Sequence, residues 1–303
     1  DFGLVNDAEV YYLGEDPLNN IFTSNHIISA KTSIHKDLVG KRELVSMLPS
    51  VPAKTAMLGR PNSIEINKNG EIFYLDSTSQ TIRKIDSAGN LKIVGKIELN
   101  LVQEISDIAL TPGGDLLAPI FSLSTVNHNK LLKFSPDGTR TEIKLRKDGS
   151  EIRTPWIHAI DTDAAGNLYV LGPRTLGKVD STTMEYRVIY EGPPTSNFYD
   201  EYSNISVANN GKVYVSSFKN VFEWNGVDMK KIAGTNELGN SPKDLPPLET
   251  KMNIILGTIL DQSGMLYVAD GYNGKIRSLS TTMADAKMRI FFEDNGAGHC
   301  GSG

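Results

Sequence analysis

The chain of 303 residues carries 31 Lys and Arg against 36 Asp and Glu, a net charge of −5. Its basic residues are scattered rather than striped, which argues against a nucleic-acid partner, and no apolar run approaches the ~18 residues of a membrane-crossing helix. The single cysteine, Cys300, lies in the Gly-rich stretch 295–303, with no partner for a disulfide and no packed surroundings to activate a thiol. Because the chain starts at Asp1 rather than Met, a soluble protein is expected, secreted or periplasmic rather than cytoplasmic.

In chain order, residues 1–60 show strand-like runs at 9–13, 21–23, 26–30 and 42–47. From there one pattern recurs, aligned on the turn glycines Gly70, Gly114, Gly166, Gly211 and Gly264, spaced 44, 52, 45 and 53 residues apart. An apolar run precedes each glycine (63–66, 107–110, 159–162, 204–207, 257–260) and another follows it (72–75, 116–118, 168–171, 213–215, 265–269), which is the signature of a β-hairpin. A third run (81–85, 130–134, 176–179, 221–224, 275–279) and a fourth (91–97, 140–144, 185–190, 229–233, 288–292) complete each copy.

Four antiparallel strands per repeat of this length make a propeller blade. Sustained helical periodicity is nearly absent, so the chain is expected to be all-β. Five copies leave 1–60 as about one more blade, and ring closure hides strand edges. The expectation is therefore a six-bladed β-propeller of four-stranded blades, a single domain over 1–293, followed by a Gly-rich tail at 294–303.

Two copies carry a family resemblance. Residues 231–280, with Ile232-Ala233-Gly234, Leu266-Tyr267-Val268-Ala269-Asp270, Asn273 and Ile276-Arg277, resemble an NHL repeat. The run from Arg60-Pro61-Asn62 through Ile72-Phe73-Tyr74-Leu75-Asp76 to Ile82-Arg83 resembles it too. The other copies place Ile120, Gly172 and Ser217 where these have Asp76 and Asp270. The resemblance implies a propeller, a fold that hosts interaction domains and enzymes alike. The sevenfold spacing of Asp76 to Arg83 and of Asp270 to Arg277 predicts a hydrogen-bonded latch between strand ends.

Several motifs fall short of a chemistry. Gly172-Pro173-Arg174-Thr175-Leu176-Gly177-Lys178 nearly spells a phosphate loop, but Val179 stands where Ser or Thr would bind magnesium and a strand follows rather than a helix. Asp161-Thr162-Asp163 begins like a calcium loop, yet Ala165 and Gly172 remove later ligands, so these aspartates read as turn formers.

Propeller geometry gathers the starts of the inner strands around a central channel. On that basis Glu15, Asn62, Asp107 and Asn204 are candidate metal ligands, and His158 a candidate general base. Leu13-Gly14-Glu15-Asp16-Pro17 and Pro61-Asn62-Ser63-Ile64 are similar to ligand segments of the regucalcin, gluconolactonase and paraoxonase group. That resemblance implies bound Ca or Zn and a lactone or phosphoester substrate. Ser63 in place of the group's Gly departs from the pattern.

Two long connections, 192–204 and 234–251, shape one rim. The first carries Phe198, Tyr199 and Tyr202, which with Trp156 are the candidate ligand-binding aromatics. The favoured reading is a binding module for a small molecule or a protein or peptide partner. A metal-dependent hydrolase or lyase is the alternative, and a metal-free enzyme with an apolar channel a third class.

Overall fold

The computed structural model describes most of residues 50–293, apart from 54–55, 57–60, 77–78, 98, 100–102, 123–128, 195–196, 209–210, 243, 262 and 283–285, together with short upstream strands. The runs expected at 9–13 and 42–47 and the tail at 294–303 lie outside the described residues.

Strands of each blade follow one another in sequence order and pair antiparallel. In the third blade the order is Ala159–Thr162, Leu168–Leu171, Thr175–Val179 and Tyr186–Glu191. The fourth runs Tyr202–Val207, Val213–Ser217, Val221–Trp224 and Met229–Ala233. The fifth runs Ile255–Leu260, Met265–Asp270, Lys275–Ser280 and Arg289–Glu293. The first (61–96) gains an extra outer strand, Ser50–Pro52, and the second (103–143) splits its inner strand into Gln103–Ile105 and Ala109–Leu110.

Among the described residues this makes five full blades, not the expected six. Upstream, Gly14–Glu15, Ile21–Phe22, His26–Ile28 and His35–Asp37 pair in order as a sheet. Its described strands are two or three residues long, shorter than the ~5–6 residues of a usual strand. Its first strand lies beside Pro61–Ile66.

Successive side chains of a strand point to opposite faces, and here each face meets a different neighbouring blade. Leu116 packs between the first and second blades while Leu117 packs between the second and third. Likewise Leu168 and Val170 face the second blade, Tyr169 and Leu171 the fourth. Both faces are dry, which is why the second strands read as continuous apolar runs rather than alternating ones.

The repeated turn has one geometry. At Gly70, Gly114, Gly166, Gly211 and Gly264 φ lies between 74° and 90°, a region glycine enters without a Cβ clash. Each glycine N–H donates to the carbonyl three residues back, as Gly166 does to Asp163 at 2.8 Å. Asp163 Oδ1 accepts from the amides of Ala165 and Asn167 at 3.0 and 2.8 Å. Asp163 is thus the turn former expected of the pair, whereas Asp161 faces elsewhere.

Candidate binding face and channel

The inner strand of each blade pairs on one side only, so alternate N–H groups on its other edge point toward the channel unpaired. Side chains of the preceding blade cap them. Seven residues before the turn glycine, Ser63 Oγ accepts from Ile108 N at 3.2 Å, and Asp107 Oδ2 from Ile160 N at 2.9 Å. Five residues before it, Asp161 Oδ2 accepts from Val207 N at 2.6 Å, and Ser206 Oγ from Leu260 N at 3.2 Å. Glu65 accepts from the Leu110 amide in the same way. These bonds stitch blade to blade around the axis.

Three of the caps are carboxylates from three blades, and all three line one cavity of ≈ 140 Å³. Asp107 also accepts from Ser63 Oγ at 2.6 Å and from its neighbour Ile108 N at 2.9 Å. Burial raises its pKa to about 6 against those hydrogen bonds. Burial likewise raises Asp161 to about 7, helped by the charge of Asp107. Glu65 lies well above the usual carboxylate range, through burial first and then the charges of Asp161 and Asp107.

His158 sits at the channel mouth, two residues after Trp156. Its Nδ1 lies 3.1 Å from the Tyr202 carbonyl; since a carbonyl only accepts, Nδ1 carries the proton and Nε2 the lone pair in the neutral ring. Trp156 meets His158 edge-on with centroids 5.5 Å apart and stacks on Phe121 at 5.8 Å. Across the third-to-fourth blade connection, Phe198 and Tyr199 gather against Phe218 at 4.9 and 6.0 Å. They stand on a single 3-10 turn, Phe198–Asp200, started by Asn197, whose side chain accepts from Tyr199 N.

Trp156, Phe198 and Tyr199 are exposed on this rim, as their loop positions suggest. Tyr202 turns the other way, 7% exposed in the core between the third and fourth blades, edge-on to Phe222 at 5.7 Å. Its place at the first position of a strand, rather than in the loop, sets that direction.

The candidate metal ligands assemble only in part. The side chains of Glu15 and Asn62 lie outside the described residues. Asp107 already holds three hydrogen-bond donors, and Asn204 Nδ2 donates to Ser203 Oγ at 3.0 Å and Ile255 O at 3.4 Å. Among the described residues no group of three Asp, Glu, His or Cys side chains could hold a metal ion; a shell at the channel would need Glu15 and Asn62 beside Asp107 and Asn204. The channel wall is polar, unlike the apolar one that a metal-free enzyme of the third class would have. Glu65 and Asp161, absent from the sequence-derived set, are instead drawn in; a charge inside an apolar inner strand was the available signal.

No protein-family model matches the chain, and no curated protein matches it in sequence. Solved structures share the fold. A streptogramin B lyase is 12% identical with a TM-score of 0.58, covering 96% of this chain and 84% of that one. An auxiliary nutrient-binding protein from Bacteroides thetaiotaomicron is 14% identical with a TM-score of 0.61, covering 84% and 63%. A candidate gluconolactonase is 11% identical with a TM-score of 0.59, covering 93% and 90%. At these identities the likeness establishes a β-propeller and nothing about activity. No helix among the described residues is long and apolar enough to cross a membrane.

Proposed function

We propose that the protein is a binding propeller that takes a small ligand or a peptide segment on the face where the inner strands begin. One observation carries this. Among the described residues eight large apolar side chains are exposed, and Trp156, Phe198, Tyr199, Leu238, Leu248 and Tyr272 all belong to connections on that one face. Isolated exposed apolar residues are ordinary on any surface; concentration on one face marks an interaction site. The other two, Val188 and Val227, lie on an outer strand and at the opposite turn.

A ligand-observed NMR screen with a library of small aromatic fragments tests the reading. Hits are expected to weaken in Trp156→Ala and Phe198→Ala and to persist in Val188→Ala and Val227→Ala. Hits indifferent to the first pair, or lost equally in all four, would overturn it.

The second reading is a hydrolase or lyase, favoured by the Nε2 lone pair that His158 presents at the channel mouth. There His158 would serve as base, with metal held by Asp107 and Asn204 together with Glu15 and Asn62. Elemental analysis paired with melting in chelator separates the two, because a resident metal would stabilise the native state and its removal lower the melting temperature.

A further inference from the structure

We infer that the channel receives the ammonium or guanidinium head of a cationic ligand whose apolar body rests on the aromatic rim. The inference rests on reading that face as the binding face and adds the chemical class of what it binds.

Capping an edge amide requires an acceptor, not a charge: Ser206 does it with a hydroxyl at 3.2 Å. Ser63 does the same for Ile108 N, but the remaining caps are three carboxylates, Glu65, Asp107 and Asp161; the charges of Asp161 and Asp107 add to the burial that holds Glu65 up, and that of Asp107 to the burial of Asp161. Among the described residues no Lys or Arg lines the cavity they share. A concentration of negative charge without a protein counter-charge is complementary to a cation from outside.

A fourth group points to a ligand independently. Thr258, on the inner strand of the fifth blade, lines the same cavity and is 8% exposed, and its Oγ1 meets no hydrogen-bond partner. Buried hydroxyls without partners are uncommon in folded proteins, and this one supplies an acceptor from the side of the cavity the carboxylates do not cover.

The spread of the acceptors selects the kind of cation. A metal ion needs several oxygens within ~2.6 Å of one point, and the described side chains do not converge so closely. An ammonium or guanidinium reaches separated acceptors through N–H groups, each at ~2.8 Å. The cavity, ≈ 140 Å³, has room for such a head and a short stem, while Trp156, exposed beside His158 at the mouth and backed by buried Phe121, offers a ring face to the portion outside.

Calorimetric titration at pH 8 with phenethylammonium, 2-phenylethanol and phenylacetate tests the inference, using wild type, Glu65→Gln and Trp156→Ala. Phenethylammonium should bind at least tenfold more tightly than the alcohol, phenylacetate most weakly. Glu65→Gln, which keeps an acceptor for Leu110 N but drops the charge, should erase the preference; Trp156→Ala should weaken both the amine and the alcohol. Equal binding of amine and alcohol, binding of none of the three, or a preference untouched by Glu65→Gln overturns the inference, and so does calcium chloride displacing the amine at equal concentration. Should the alcohol bind, lose affinity in Trp156→Ala and ignore Glu65→Gln, the cationic class fails while the binding face stands. A melting curve of Glu65→Gln no lower than wild type shows that its loss of binding is not unfolding.

Discussion

Arg277 Nε donates to Asp270 Oδ2 at 2.7 Å with both side chains wholly buried. The latch foreseen from sequence spacing is therefore present in the fifth blade; in the first, Arg83 pairs with Asp76 as charges 3.2 Å apart while its Nε donates to Thr81 Oγ1 at 3.1 Å. In the fifth blade it does more. Asp270 Oδ1 also accepts from Asn253 N at 2.7 Å and from the Asn273 side chain at 2.8 Å, and Arg277 Nη2 donates to Ser241 O at 3.0 Å. One ion pair thus fixes the turn, the start of the inner strand and the long connection before it. Removing one partner strands a buried charge, so Asp270→Ala should cost roughly 3–5 kcal/mol. Denaturant unfolding checks this; a loss below about 1 kcal/mol would show the latch to be incidental.

Tyr202 and Phe198 divide the aromatic segment into core and surface. Tyr202→Ala should destabilise by about 3–5 kcal/mol because it opens a cavity between two blades. Phe198→Ala, at 60% exposure, should change stability by less than about 1 kcal/mol. Comparing their melting temperatures decides it, and equal losses would contradict the packing described.

Gly234 ends the fourth blade at φ 99°, and a Cβ there would lie 2.4 Å from Lys219 O and 2.5 Å from Asn220 Oδ1. Neither atom can retreat without breaking the turn at 218–220. Gly234→Ala should therefore cost about 2–4 kcal/mol, combining left-handed strain with overpacking. Thermal melting of this single variant is the measurement, and a neutral outcome would refute the close approach.

The channel carboxylates predict a stability that falls as pH rises. Asp107 at about 6 and Asp161 at about 7 hold their protons more tightly folded than unfolded. The native state thus binds more protons, and their contribution is full below about pH 4 and lost as pH climbs through 6 to 7. The groups facing them are Glu65 from the first blade and Asp163 and His158 from the third, with Ser206 and Thr258 uncharged on the fourth and fifth. Glu15 lies on the short upstream strand. Melting between pH 5 and 8 should show a decline on the order of 2 kcal/mol, reduced in Glu65→Gln because Glu65 is itself a buried carboxylate held well above its ordinary range and the variant no longer titrates. A flat profile in wild type would exclude this coupling.

The sequence by itself determined the repeat, its five turn glycines, the strand order within each blade and the two Asp–Arg latches, because all of these are set by neighbours a few residues apart. Val213–Ser217 and Lys130–Phe134 announce themselves through local apolar content, and Gly166 through the backbone it must adopt. Only the tertiary structure decided how many full blades form, that Tyr202 turns inward, and that Glu65, Asp107 and Asp161 meet. Those three stand about one blade apart in sequence and share no local motif. Their meeting follows from the ring bringing each inner strand to the same axis, and from a phase of alternation that a one-residue shift would reverse.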